Sequence, residues 1–261
     1  MMRSEFLSLL MAASVLIVSG LSIPDENKIS ERQSNMGYTD YLYVHFINEG
    51  KNGEQIYFDV SNNNNPGSWT QVNGGQPKLV STVGTKGVRD PSIVRGRDGK
   101  TVWIIATDLH VNANGGVYDT ENGSNTAEKF LSGAGMDVTI WRDVPTGVYY
   151  RMAKNGPNEL IEQTKASSLC TNCWSVVKNQ IGSGTIPKGE GPLLFPDNVY
   201  SATWHLWIDD YTRARGYSPF ETTAIATGAW KPAPSWYQMP KNARHGYVIG
   251  ITSQERANIV K

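Results

Sequence analysis

The sequence predicts an all-β chain of short strands, a propeller or a sandwich, and three observations carry that expectation. Apolar and aromatic runs of strand length recur between turn residues. Turn formers and aromatics are abundant, with Gly 26, Pro 13, Trp 8 and Tyr 12 in 261 residues. No stretch alternates strand with helix as parallel βαβ units require. The 39% hydrophobic and 18% charged content is that of a folded globular protein. The 24 basic and 24 acidic residues cancel, so no positive field gathers nucleic acid or anionic lipid.

Taken in order, the chain opens with Arg3 ahead of a short apolar run, from Phe6 to Leu21, that ends in small residues. This is the pattern of a cleaved secretory signal peptide over residues 1–22. Residues 23–37 lack any apolar period and read as a flexible leader. Strands are then expected near Tyr41–Ile47, Gln55–Val60, Thr101–Thr107, Asp137–Trp141, Gly147–Met152 and Trp204–Asp209. The first two are joined by the Gly/Asn-rich residues 48–54, and Asn62-Asn-Asn-Asn-Pro-Gly67 closes the second. Only the tail from Ser253 reads as helical, with Ser253 as its N-cap. In an exported protein Cys170 and Cys173 either close a small disulfide loop or stay as thiols. The singly scattered histidines give no zinc-site spacing, and Asn122-Gly-Ser124 is a glycosylation sequon in a Gly/Asn-rich loop. Tryptophans at 69, 103, 141, 174, 204 and 230 suit either packing between sheets or stacking on sugars.

Two carboxylates stand in stiff settings. Asp90 precedes a proline in Gly87-Val-Arg-Asp-Pro91, and Glu190 lies between glycines in Lys188-Gly-Glu-Gly-Pro192; in both, the proline opens a strand. A pair of carboxylates held this way is what glycoside hydrolysis needs: one to protonate the leaving oxygen, one to activate water.

The chain resembles glycoside hydrolase family 43. Tyr41-Leu-Tyr-Val-His-Phe46, Gly53-Glu-Gln-Ile-Tyr-Phe58, Trp69 with Asn73-Gly-Gly75, Gly87-Val-Arg-Asp-Pro91, Ile105-Ala-Thr-Asp108, Gly189-Glu-Gly-Pro192, the Arg215–Thr223 stretch and Arg244-His-Gly246 carry the resemblance, in the family's order. It implies a secreted five-bladed β-propeller over residues 38–261 that removes arabinofuranosyl or xylosyl units from plant cell-wall polysaccharides with inversion. It further implies Asp90 as general base, Glu190 as general acid, and His245 as the axial residue holding a metal or water at the centre. Asp209 and Glu221 match family positions and read as structural, capping strands or satisfying backbone donors. No cofactor is required, a structural calcium being the one candidate. The partners expected are a polysaccharide or oligosaccharide substrate, with no nucleic acid, no membrane after signal removal, and a monomeric chain.

One departure matters. The family uses a third carboxylate to keep the general acid protonated, and the stretch that should supply it is expected to be missing near residues 144–147, where Ile140-Trp-Arg-Asp143 runs at once into what resembles a later blade. Asp137 and Asp143 are the nearby candidates, and neither matches the motif. Without residues 1–22 the chain holds five blades of roughly 40–50 residues only at the lean end, and identifiable strand pairs suggest three to four. Glu190 is then expected to ionise too readily, leaving weak or no activity. The competing readings are a non-catalytic carbohydrate-binding protein, an inactive truncated homologue and a lectin-like sandwich.

Overall fold

The structure, a computed structural model, describes residues 37–50, 52–110, 135–213, 215–240 and 242–261. The expected signal peptide, nearly all of the leader and the Asn122 sequon lie outside these residues.

Fourteen strands in the described residues form four sheets, all of them antiparallel. The first three are β1 (Asp40–His45), β2 (Tyr57–Ser61) and β3 (Trp69–Gln71), followed by β4 (Val88–Arg95) and β5 (Val102–Asp108). Next come β6 (Gly135–Arg142), β7 (Tyr149–Asn155), β8 (Leu160–Ala166) and β9 (Ser175–Ile181). β10 (Glu190–Pro196), β11 (Trp204–Asp209), β12 (Tyr217–Thr222) and β13 (Lys231–Pro232) precede the last strand, β14 (Gly246–Ile251), and one helix, α1 (Ser253–Ile259). Strand order is β14-β1-β2-β3, β4-β5, β6-β7-β8-β9 and β10-β11-β12-β13.

The C-terminal strand β14 therefore heads the N-terminal sheet, pairing with β1 from Asp40↔Ile251 to His45↔Gly246. Each sheet begins with an innermost strand, and these pack on one another: β4 on β14, β14 on β10, β10 on β6. The described residues form an incomplete propeller of four blades, with two strands of the β4–β5 blade among them. β1 and β11 are buried along their whole length because they are second strands covered on both faces, which explains why both read as near-continuous apolar and aromatic runs.

Three apolar cores lie between neighbouring blades. Met152, Ile161, Leu194 and Trp204 join the β6–β9 and β10–β13 sheets. Tyr43, Phe195, Trp207 and Val248 join the latter to the β14–β3 sheet, with Trp207 edge-on to Tyr43, Trp69 and Phe195. Val44, Val60, Ile93 and Ile251 join that sheet to β4–β5. Among the described residues no such cluster joins β4–β5 to β6–β9, and Val94, Trp103 and Ile105 on the outer face of β4–β5 are exposed.

This arrangement corrects the expected break at residues 144–147. Asp143 N donates to Val148 O, Gly147 N donates to Asp143 O, and Arg142 pairs with Tyr149, so these residues are the hairpin turn between two hydrogen-bonded strands of one blade. The helix also starts one residue earlier than expected. Thr252 is the N-cap, in a capping box in which its Oγ1 accepts from Glu255 N and Glu255 accepts from Thr252 N. Cys170 and Cys173 are joined as a disulfide. No helix among the described residues is long and apolar enough to cross a membrane.

Candidate active site

Three innermost strands enter the molecule through the same irregularity. The ladder slips between Arg89 and Ser92 in β4, between Met136 and Thr139 in β6, and between Glu190 and Leu193 in β10. Inside each slip one residue has positive φ: Asp90 at 50°, Asp137 at 50° and Gly191 at 49°. A bulge re-aims the side chains around it, and holding a non-glycine residue in the left-handed region costs about 1–2 kcal/mol. Asp90 and Asp137 bear that cost at equivalent points of two blades, and both line one pocket of about 470 Å³ together with Gly191 and His245.

Glycine occupies the third equivalent point because the His245 ring packs against it: a Cβ on Gly191 would lie 2.3 Å from that ring. His245 sits just before β14, the fourth innermost strand, so every blade sends its strand entrance to the same place. Its Nδ1 is 3.1 Å from Asp90 Oδ1, while its Nε2 is 3.4 Å from Glu190 Oε1 and 3.5 Å from Asp209 Oδ2. Burial alone would favour the neutral imidazole. The contacts to Asp90 and Glu190 outweigh it and raise His245 to about 9.

Glu190 is surrounded by cations. Lys154 Nζ donates to its Oε2 at 3.1 Å and Arg244 Nη2 to its Oε1 at 3.0 Å, while Arg244 Nε donates to Asp209 Oδ2 at 2.6 Å. Burial would raise Glu190, but His245 and Lys154 pull the other way and hold it at about 2. Asp209, 1% exposed and opposite Glu190 in the β10–β11 ladder, is raised by burial in spite of Arg244. Glu190 is thus a carboxylate in the ligand-free site, whereas Asp90, 42% exposed, faces solvent.

Asp90, Glu190 and His245, the residues singled out from the sequence, converge on this one site. Asp137 joins them, with carboxylate oxygens of Asp137 and Glu190 and a ring nitrogen of His245 all within 4.8 Å of one another. The third carboxylate is therefore not deleted. Its motif was unreadable because Asp137-Val-Thr-Ile lacks the proline of Asp90-Pro-Ser-Ile, although both occupy the same bulge; the shared spacing to the following β-branched run was the available signal. Lys154 gave no signal, since it reaches the site from the second strand of its blade. Asp209 does not cap a strand: it anchors Arg244. Glu221 lies at the other end of its sheet, 3.3 Å from Lys231.

The two carboxylate oxygens and one imidazole nitrogen fall short of the six to eight oxygens that calcium takes. Glu190 is, besides, already engaged by Lys154 and Arg244. The donor set does not fit a structural calcium, and His245 is accounted for as an imidazolium bridging two carboxylates.

Residues 37–132 and 125–257 match the model of a glycoside hydrolase 43-related family described as "probable glycosyl hydrolase domain"; the two stretches overlap at residues 125–132, between β5 and β6. An α-L-arabinofuranosidase of Bifidobacterium longum is 31% identical over 103 residues, 40% of this chain and 9% of that protein. Among solved structures, an exo-β-1,3-galactanase from Clostridium thermocellum aligns over 74% of this chain and 45% of its own, at 12% identity and TM-score 0.35. An endo-1,4-β-xylanase from Bacteroides thetaiotaomicron aligns over 75% and 69%, at 14% identity and TM-score 0.38. The chain thus spans a small part of the curated relative and less than half of the galactanase.

Proposed function

The chain belongs to the glycoside hydrolase 43-related family, and from that premise we propose that it is a secreted, monomeric hydrolase of arabinose- or xylose-containing plant cell-wall polysaccharides that works by inversion. One observation carries this reading: a single imidazole, that of His245, spans Asp90 and Glu190 at 3.1 and 3.4 Å. A five-membered ring and two polar contacts between the carboxylates match the scale of the ~6.5–9.5 Å that inverting glycosidases leave for the linkage and a water.

Asp90, exposed to the pocket, is the general base and takes a proton from the water that attacks the anomeric carbon. Glu190 is the general acid and gives a proton to the glycosidic oxygen as that bond breaks. Asp137, a second negative charge within 4.8 Å, opposes ionisation of Glu190. In the free site this opposition loses to Lys154 and His245, so only a small fraction of Glu190 carries the proton near neutral pH. Turnover is therefore slow and rises as pH falls.

Hydrolysis of aryl α-L-arabinofuranosides and β-xylosides tests the reading. Slow release that grows toward acid and falls by ~10²–10⁴-fold in Glu190→Gln, with sugar affinity kept, is expected. Fast turnover peaking at neutral pH would contradict the role given to the depressed Glu190. A non-catalytic carbohydrate-binding function is the second reading, favoured by that same depression; binding with no product at any pH would select it.

A further inference from the structure

At the opposite end of the β10–β13 blade, away from Glu190, lies a second pocket of about 330 Å³. It is bounded by the end of β10, the start of β11, the end of β12 and the turn between β2 and β3. Two aromatic side chains stand at it largely in solvent: Trp236 is 57% exposed and Tyr200 69%. Isolated exposed aromatics are ordinary, but two beside one pocket that reaches the ~300 Å³ of small-molecule sites are not.

Trp236 is fixed in place. Its ring lies against Gly67, where a Cβ would come within 2.6 Å, and meets the Tyr237 ring at a 45° tilt with centroids 4.6 Å apart. Gln238 N donates to Gly67 O at 2.8 Å, tying the two loops together. The aromatic face is therefore presented without freedom to collapse onto the protein.

The charged groups of the lining are paired with one another. Asp197 is matched by His205, with 2.9 Å between Oδ2 and Nε2, and Glu221 by Lys231 at 3.3 Å. A phosphate or other anion finds no uncompensated cation there. The exposed rings of Trp236 and Tyr200, beside the Asp197–His205 and Glu221–Lys231 pairs, suit a ligand that presents an apolar C–H face together with hydroxyls.

We propose that this pocket is a second carbohydrate site that holds a neutral polysaccharide on Trp236 and Tyr200, on the face of the molecule away from the catalytic residues. The identity of the polymer rests on the glycosidase reading; the pocket's preference for a hydroxyl-rich neutral ligand does not. A polymer anchored there stays with the protein while another part of it meets Asp90 and Glu190.

The test uses the full chain carrying Glu190→Gln, run by affinity electrophoresis in gels containing arabinoxylan, linear arabinan or β-1,3-galactan, with polygalacturonate as the anionic control. Retardation by at least one neutral polymer is expected, and Trp236→Ala or Tyr200→Ala in that background should weaken it about tenfold. In the otherwise native chain the same substitutions should leave aryl glycoside hydrolysis unchanged and raise KM on the polymer. Tyr200 guards against misfolding, since its ring is mostly in solvent. Equal retardation of both variants and their parent would overturn the proposal, as would competition by a proline-rich peptide but by no polysaccharide. Loss of retardation in a chain that hydrolyses nothing would leave this site standing and remove the catalytic reading; hydrolysis with retardation indifferent to both substitutions would do the reverse.

Discussion

Asp90 and Asp137 carry backbone strain that nothing in their local sequence demands, and strained residues of this kind cluster at sites of chemistry. Gly191 shows what the third bulge gives up to keep its neighbour: a methyl group there meets the His245 ring at 2.3 Å and a φ of 49° that alanine resists. Gly191→Ala is expected to lower aryl glycoside turnover at least tenfold and to move the His245 titration, followed by NMR, from about 9 toward 6.5. An unchanged titration would show that the ring is not wedged against Gly191. The same ring sets a pH dependence of stability. Its pKa is raised on folding, so its contribution is complete below about 6.5 and fades as pH climbs through about 9, to the extent of roughly 3 kcal/mol. Glu190 is lowered on folding, so its contribution is complete above about 4.5 and fades as pH falls through about 2. The stability advantage of the native chain over His245→Asn, from urea midpoints, should be largest near pH 6 and shrink by pH ~10; an advantage that grows with pH contradicts the ion pairing.

At the scale of elements, the bulge is the functional device and the capped helix is a clamp. Glu255 closes the capping box and also binds Arg95 of β4, whose Nη2 donates to Gly250 O of β14 at 2.9 Å. The helix thus pins the two innermost strands that bring Asp90 and His245 together. Thr252→Ala is expected to cost about 1 kcal/mol in urea unfolding and to loosen the Asp90 end of the site, read as lower turnover at unchanged Glu190 chemistry. No loss of stability would mean that the cap is redundant. Most of these elements were readable beforehand: Trp204–Asp209 was located to the residue, because a strand buried on both faces leaves an unbroken apolar signature. Ser175–Ile181 and Leu160–Ala166 were not, since Ser-Val-Val-Lys-Asn-Gln-Ile and Leu-Ile-Glu-Gln-Thr-Lys-Ala mix polar and apolar residues without clean alternation, and their pairing slips twice along the ladder.

For the molecule as a whole, three inter-blade cores in a row leave β4–β5 at one end, packed on one face among the described residues. Hydrogen exchange should therefore release the amides of β5 at much lower opening free energy than those of β1 and β11, which are buried from end to end. Equal protection across the sheets would mean that the incomplete propeller behaves as one cooperative unit. Because Asp90 stands on that sheet, opening there is felt by Asp90 before it is felt by Glu190.

The sequence by itself determined the all-β class, the antiparallel strand pairs, the two stiffly held acids and the family, since alternation, turn chemistry and short motifs are local properties written in consecutive residues. Only the tertiary structure decided that Asp137 joins Glu190 and His245, that residues 144–147 are a hairpin turn within one blade, and that His245 and Lys154 hold Glu190 low. The first and last of these depend on which blades face one another across the centre, a distance set by packing between residues tens of positions apart.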